Sequence, residues 1–149
     1  MRIFTILFLW TLTLQSCIDM PSDKALDSWM KTKILSGADR LIMKEITDFK
    51  WDSLLILRPY SMPDRTEDDL DINLSMIKYT GIDFGDNTNV LVYLYQGEVV
   101  NMVDFDRYPG DFSKNDPELI SKSKAVFEIT ITGQKNINGD KWIEIVAVK

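Results

Sequence analysis

The sequence predicts an α+β domain, an antiparallel sheet of about five or six strands with one main N-terminal helix packed on it. Three features carry this. Two pairs of strand-like stretches are each joined by a turn that contains glycine, the run Leu54 to Leu57 is apolar at every position, and one segment after residue 23 repeats apolar residues at helical spacing.

The helix comes first. Ser22 or Asp23 can cap a helix that begins near Lys24. Leu26, Trp29, Met30, Lys33 and Ile34 then recur at helical spacing, which places Trp29 on the packing face, and Gly37 is the expected stop. Residues 40–46 are apolar and read equally as a strand or as a second helical turn. Residues 51–57 read as a strand with Leu55 and Leu57 on one face and Leu54 and Ile56 on the other, so both faces are apolar and the strand is central. Arg58-Pro59-Tyr60 ends it, because proline donates nothing to a ladder and holds the preceding residue extended.

Residues 66–70 have the composition of a helix start, with Glu67, Asp68 and Asp69 placed to favour the positive end of the dipole. Leu70, Ile72, Leu74 and Met76 then alternate with polar residues, which predicts a half-buried strand. Residues 89–95 and 98–105 form the clearest hairpin, turning at Gln96-Gly97. Val90, Val92 and Leu94 line one face of it and Leu91, Tyr93 and Tyr95 the other. If Tyr95 pairs with Glu98, then Leu94 faces Val99 and Val90 faces Val103. Residues 107–117 are a polar loop with two prolines, and a second hairpin joins residues 125–132 to 142–148 around Asn138-Gly139.

The chain opens on Arg2, a run from Ile3 to Leu14 that is apolar apart from threonines, and the box Leu14-Gln15-Ser16-Cys17. The run suits a signal peptide and is too short for the roughly 20 apolar residues of a spanning helix. Cys17, the single cysteine, stands where a lipid would be attached, so the stretch resembles the signal of the bacterial lipoprotein class. That resemblance implies diacylglycerol on the thiol and a third acyl chain on the amine, which together hold far more firmly than one chain. Ile18, not aspartate, follows Cys17, so the expectation is the outer membrane and not the inner. The predicted organisation is a signal peptide over residues 1–16, a lipidated tether over 17–24 and a single α+β domain over 25–149.

Charge and composition exclude more than they suggest. Lys and Arg number 17 against 23 Asp and Glu, a net charge of −6, which disfavours nucleic acid and suits a basic partner. The chain has no histidine, which removes the Ser-His-Asp triad, histidine-ligated zinc and imidazole acid or base chemistry; with Cys17 acylated, thiol catalysis goes too. Gly81 and Gly85 are not followed by the Lys-Ser or Lys-Thr of a phosphate loop, and no cofactor motif is present.

Phe49-Lys50-Trp51-Asp52, an aliphatic strand ending in Pro59-Tyr60, a hairpin with a glycine turn and the later Ala125-Val126-Phe127 strand resemble a pattern of small uncharacterised bacterial lipoproteins and secreted proteins. The resemblance spans most of the domain. It implies a shared fold and no assigned activity.

Two acidic stretches invite a cation: Asp64, Glu67, Asp68, Asp69 and Asp71, and the oxygen-rich Asp83, Asp86, Asn87 and Asn89 about Gly85. Neither has the spacing of a calcium loop, and a solvated helix start and a turn explain them, so no metal is expected. Asp104 and Asp106 end a strand and could do paired-carboxylate work on a glycan, although a solvated rim explains them as well. Trp51, Arg58, Tyr60, Arg107 and Tyr108 flank strand ends and are of the types enriched at interaction hot spots, so they form the candidate binding surface. The favoured reading is a non-catalytic, lipid-anchored envelope protein that binds a protein or glycan as an inhibitor, immunity factor or accessory. The alternative is a small carboxylate-dependent hydrolase of envelope polysaccharide.

Overall fold

The computed structural model describes residues 20–149; Cys17, the predicted signal peptide and the first part of the predicted tether lie outside the described residues. Helix α1 (Lys24–Leu35) is capped by Asp23, whose Oδ1 accepts the Leu26 N–H at 2.9 Å. It closes at Gly37, whose φ of +80° is cheap only for glycine. Leu26, Asp27, Met30 and Ile34 face inward, whereas Trp29 is 43% exposed, contrary to the expected packing face. The apolar stripe runs through i, i+4 and i+8 and leaves Trp29 on its flank.

Residues 40–46 satisfy both of their readings, as strand β1 (Arg40–Ile42) followed by a single helical turn α2 (Met43–Ile46). Next come β2 (Ser53–Leu57), α3 (Pro63–Leu70), a 3-10 turn over Ser75–Ile77, β3 (Thr88–Tyr95), β4 (Glu98–Asp106), the two-residue β5 (Ile120–Ser121), β6 (Val126–Lys135) and β7 (Lys141–Ala147). The half-buried strand expected beyond Leu70 is absent. Asp71 takes a left-handed conformation at the end of α3, and the chain continues through a single bridge at Asn73 into the 3-10 turn, with Leu74 and Ile77 buried. Helix α3 also starts three residues before the predicted point, at Pro63, so Glu67, Asp68 and Asp69 occupy its later part and not its positive end.

The α+β class stands, but the single sheet of five or six strands does not. Among the described residues seven strands form two antiparallel sheets, one in the order β4-β3-β2-β5 and one in the order β1-β6-β7. The reason lies in β2 and β3, which are apolar on both sides and therefore need two covers. Leu54, Ile56, Leu91, Tyr93, Val103 and Phe105 pack under α1 and the smaller sheet, which contributes Leu41, Phe127 and Ile145. Leu55, Leu57, Val90, Val92 and Leu94 pack on the opposite side against Leu74, Ile77 and Ile82. The larger sheet is thus the middle of three layers.

The first hairpin keeps the predicted faces but not the full register. Tyr95 pairs with Glu98 and Leu94 with Val99, after which a bulge shifts the ladder, so Tyr93 meets Asn101 and Val90 meets Asp104 instead of Val103. The extra residue on β4 lets Val99 and Met102 both reach the same core, which a strict period of two would forbid. The free edge of β4 is covered by the start of the described chain: the Asp23 N–H donates to the Met102 carbonyl at 2.8 Å, and the Ser22 hydroxyl accepts the Asp104 N–H at 2.9 Å. Met20 donates to the Met76 carbonyl at 3.1 Å, so the last part of the predicted tether belongs to the domain.

Residues 107–117, expected as a polar loop, carry Phe112 into the core, edge-on to Phe105 at 5.3 Å and to Phe127 at 5.5 Å. This is how the two sheets are joined.

Candidate functional site

Strands β2 and β4 both pair antiparallel with β3, so they run in the same direction and finish at the same end of the sheet. Val90 pairs with Leu57 on one side and Asp104 on the other. The residues just beyond these partners, Arg58 after β2 and Arg107 after β4, therefore converge although they are far apart in sequence. They wall a groove of about 630 Å³, together with Tyr60, Arg65, Ser113 and one face of α3.

Tyr60 stands at its lip, 62% exposed, with a φ of +63°. Arg58-Pro59-Tyr60-Ser61 is a tight turn closed by the Ser61 N–H on the Arg58 carbonyl at 3.0 Å, and the Tyr60 N–H donates to the Ile82 carbonyl at 2.8 Å. In a turn led by proline, the next position is the one where glycine is normally required. A bulky residue there is strained by about 1–3 kcal/mol.

Arg107 is fixed by Asp111. Its Nε and Nη2 donate to Asp111 Oδ2 at 3.1 and 2.8 Å, its Nη1 donates to the Asp86 carbonyl at 3.1 Å, and its guanidinium lies 5.4 Å from the Trp142 ring. Asp111 is buried and also accepts from Asn89 Nδ2 at 3.1 Å, the Ser113 N–H at 2.9 Å and the Ser113 hydroxyl at 2.7 Å. Burial acts to raise the Asp111 carboxyl, but the hydrogen bonds from Arg107, Ser113 and Asn89 more than offset it and hold the group below its ordinary value. The Asp111 backbone bonds on both sides to β7, donating to the Ile143 carbonyl at 2.8 Å and accepting from the Ile145 N–H at 2.9 Å.

Three of the five predicted surface residues, Arg58, Tyr60 and Arg107, are thus brought together. Tyr108 is 43% exposed on the loop beside Arg107 and does not line the groove. Trp51 is in the core at the opposite end of β2: it is 3% exposed, its Nε1 donates to the Thr47 hydroxyl at 2.7 Å, and its ring meets Tyr93 edge-on at 5.2 Å. Its position before a strand resembles that of an interface aromatic, but the indole N–H is satisfied internally, as burial requires. The groove residues that the sequence does not reveal are Arg65, Asp69 and Ser113. A start of α3 at Pro63, a favoured first helical position, is the signal that would bring the first two to the groove.

Three of the five acids in the first acidic stretch have basic partners. Lys78 pairs with Asp64 at 2.8 Å and lies 3.7 Å from Glu67, and Arg65 pairs with Asp69 at 3.5 Å. Among the described residues no three carboxylates gather as metal ligands would. Asp106 is held by Lys31 at 2.9 Å, which also holds Asp27 at 3.0 Å. Burial pushes the Asp104 carboxyl up; Lys24 opposes this, and Asp106 and Asp27 add to it. Neither Asp104 nor Asp106 lines the arginine groove.

Comparison with known proteins returns no match. No family model fits the chain, and no curated protein and no solved structure matches it.

Asp111 yields a prediction with a definite sign. A carboxyl whose folded-state pKa lies below its unfolded value contributes stability that is present above the unfolded value, near 4, and is lost as pH falls through the folded one. Asp111→Ala should cost about 2–4 kcal/mol in urea unfolding at pH 7, because it orphans Arg107, Asn89 and Ser113 together, and the difference from the parent should shrink below about pH 4. A cost independent of pH would show that the carboxylate's charge is not what holds the loop.

Proposed function

We propose that this chain is a lipid-anchored protein of the bacterial cell envelope, held in the outer membrane through acyl chains on Cys17. Its domain acts as a non-catalytic binding module of the inhibitor, immunity or accessory type and takes a protein or glycan partner at the groove of Arg58, Tyr60 and Arg107. The observation that carries the binding reading is Tyr60: a large aromatic kept exposed, in a backbone conformation that glycine would adopt without strain, at the rim of a groove. Strain retained at an exposed side chain with no packing role points to use of that side chain. The anchor reading is supported by distance. Met20 is already bonded to the domain, and the three residues from Cys17 to Met20 reach at most about 10 Å, so an acylated Cys17 would hold the domain against the membrane surface. No helix among the described residues is long and apolar enough to cross a membrane.

Three outcomes are expected. Tyr60→Gly should raise the stability of the domain by roughly 0.5–1 kcal/mol, since relief of the turn exceeds the added entropy of the unfolded chain. The same variant should lose the partner that the lipidated parent captures from its native envelope, as read by mass spectrometry. A variant that is stabilised and still retains every captured partner would remove Tyr60 from the interface. Cys17→Ser should shift the protein from the membrane fraction to the soluble one, and an unshifted distribution would end the anchor reading.

The raised Asp104 carboxyl, beside Asp106, is the observation that favours a second reading, a carboxylate-dependent hydrolase of envelope polysaccharide. Under that reading the parent releases sugars from envelope glycan and Asp104→Asn abolishes the release. Release that persists in Asp104→Asn, or none from the parent, rejects it.

A further inference from the structure

We propose that the groove at the shared end of β2 and β4 is an oxyanion site, which seats a carboxylate or phosphate group of its partner on Arg58. This rests on the groove being the binding surface and names the chemistry that it recognises.

The charges around the groove are not equivalent. Arg107 is spoken for by Asp111 and by the Asp86 carbonyl, and Arg65 is paired with Asp69, the one acid in the lining. Arg58 has no carboxylate within ion-pair distance among the described residues. Its polar contact is a long approach of Nη1 to the Ser113 carbonyl, at 3.5 Å. A guanidinium stays charged at any ordinary pH and presents parallel N–H groups whose fork matches two oxygens of a carboxylate or phosphate. The local balance is therefore one uncompensated positive charge with unused donors facing a cavity.

A second, independent feature points the same way. Helix α3 begins on the groove wall: its cap residue Met62 has no side-chain oxygen to offer, Pro63 has no N–H, and Met62, Arg65 and Thr66 all line the groove. The Asp64 and Arg65 N–H groups have no intrahelical acceptor and no side-chain cap, and Arg65 brings this first turn, which also carries the Lys78-paired Asp64, to the wall that Arg58 shares. Tyr60, Pro59 and Pro117 supply apolar wall for whatever carries the anion. The groove volume of about 630 Å³ falls in the small-molecule range.

The test is a titration of the full chain in non-ionic detergent, followed by nitrogen–proton correlation spectra that include the arginine Nε–H signals. Inorganic phosphate and acetate are the probes, and glycerol is the neutral control. Saturable shifts should appear at Arg58 Nε–H and at the amides of Asp64 and Arg65 with at least one anion and not with glycerol. Tighter binding of phosphate or of acetate tells which source of the oxyanion the site prefers. Arg58→Gln keeps most of the stem and should weaken the binding by about tenfold or more, while Arg58→Lys should retain part of it; the variants' own spectra show whether the fold is intact. Shifts that do not saturate, or that persist in Arg58→Gln, mean an adventitious ion only and overturn the proposal. The two readings fail differently in capture. A partner lost in Tyr60→Gly but kept in Arg58→Gln overturns the oxyanion site and leaves the groove as binding surface, and a partner kept in both overturns the two together.

Discussion

The fold depends on one constraint: strands β2 and β3 are apolar on both faces. Leu54 and Ile56 cannot share a cover with Leu55 and Leu57, because adjacent side chains on a strand point to opposite sides. Each face is a separate hydrophobic problem, and a chain of this size solves it with layers. On one side α1 and the small sheet close over Tyr93, Phe105 and Phe112; on the other the irregular stretch from Leu70 to Ile82 closes over Val90 and Val92. That second cover is neither long helix nor strand. It succeeds because Leu74, Ile77 and Ile82 are delivered to the sheet by a 3-10 turn and loops whose backbone groups are bonded locally.

After β4 the chain passes along the edge of the small sheet at β7, returns to the large sheet at β5 and then enters the small sheet as β6, and a buried carboxylate fixes the first part of that crossing. Asp111 ties the connection to β3 through Asn89, to β7 through its own backbone and to Arg107 through two donors. An unpaired carboxylate in that position would be costly, so its side-chain donors from Arg107, Asn89 and Ser113 are a condition of burial and not an addition to it. Asn115 plays the neutral version of the same part, bridging the Ile145 carbonyl and the Ala147 N–H on the edge of β7. The structural demand of this crossing is what places Arg107 on the groove wall, so the shape of the groove comes from how the sheets are linked.

The same constraint divides the legible part of the sequence from the rest. The two faces of β2 and β3 are legible because strand geometry alone assigns them, and both hairpins are legible because their turns are short. The pairing of Val90 with Asp104 is not, since a bulge depends on which apolar residues a core will admit, and the pattern Val99-Val100 hides that choice. Trp29 is misplaced by sequence reasoning because helical spacing gives a stripe but not its centre. A single sheet is the natural expectation because strand patterning shows which faces are apolar and says nothing about which partner covers each of them. At the groove, Arg58, Tyr60 and Arg107 are visible as residue types at strand ends. Their convergence needs the strand order, and Trp51, equally conspicuous, belongs to the other end of the same strand.

The net charge is −6, yet the groove, lined by Arg58, Arg65 and Arg107 against Asp69, carries the opposite sign. The conflict resolves once distance is considered. At physiological ionic strength exposed charges are screened over about 8 Å, so most of the surface carboxylates contribute little at the groove. What a ligand feels on contact is set by the charges that line the cavity and by whether each is already matched. Arg65 and Arg107 are matched, and their fields are largely cancelled by Asp69 and Asp111 at contact distance. Arg58 has no such partner among the described residues, so its charge is the one in the lining left unmatched at contact distance. The diffuse negative charge of the surface and the local positive charge of the groove are therefore compatible, and Arg58 is the guanidinium of the lining that has no ion-pair partner among the described residues.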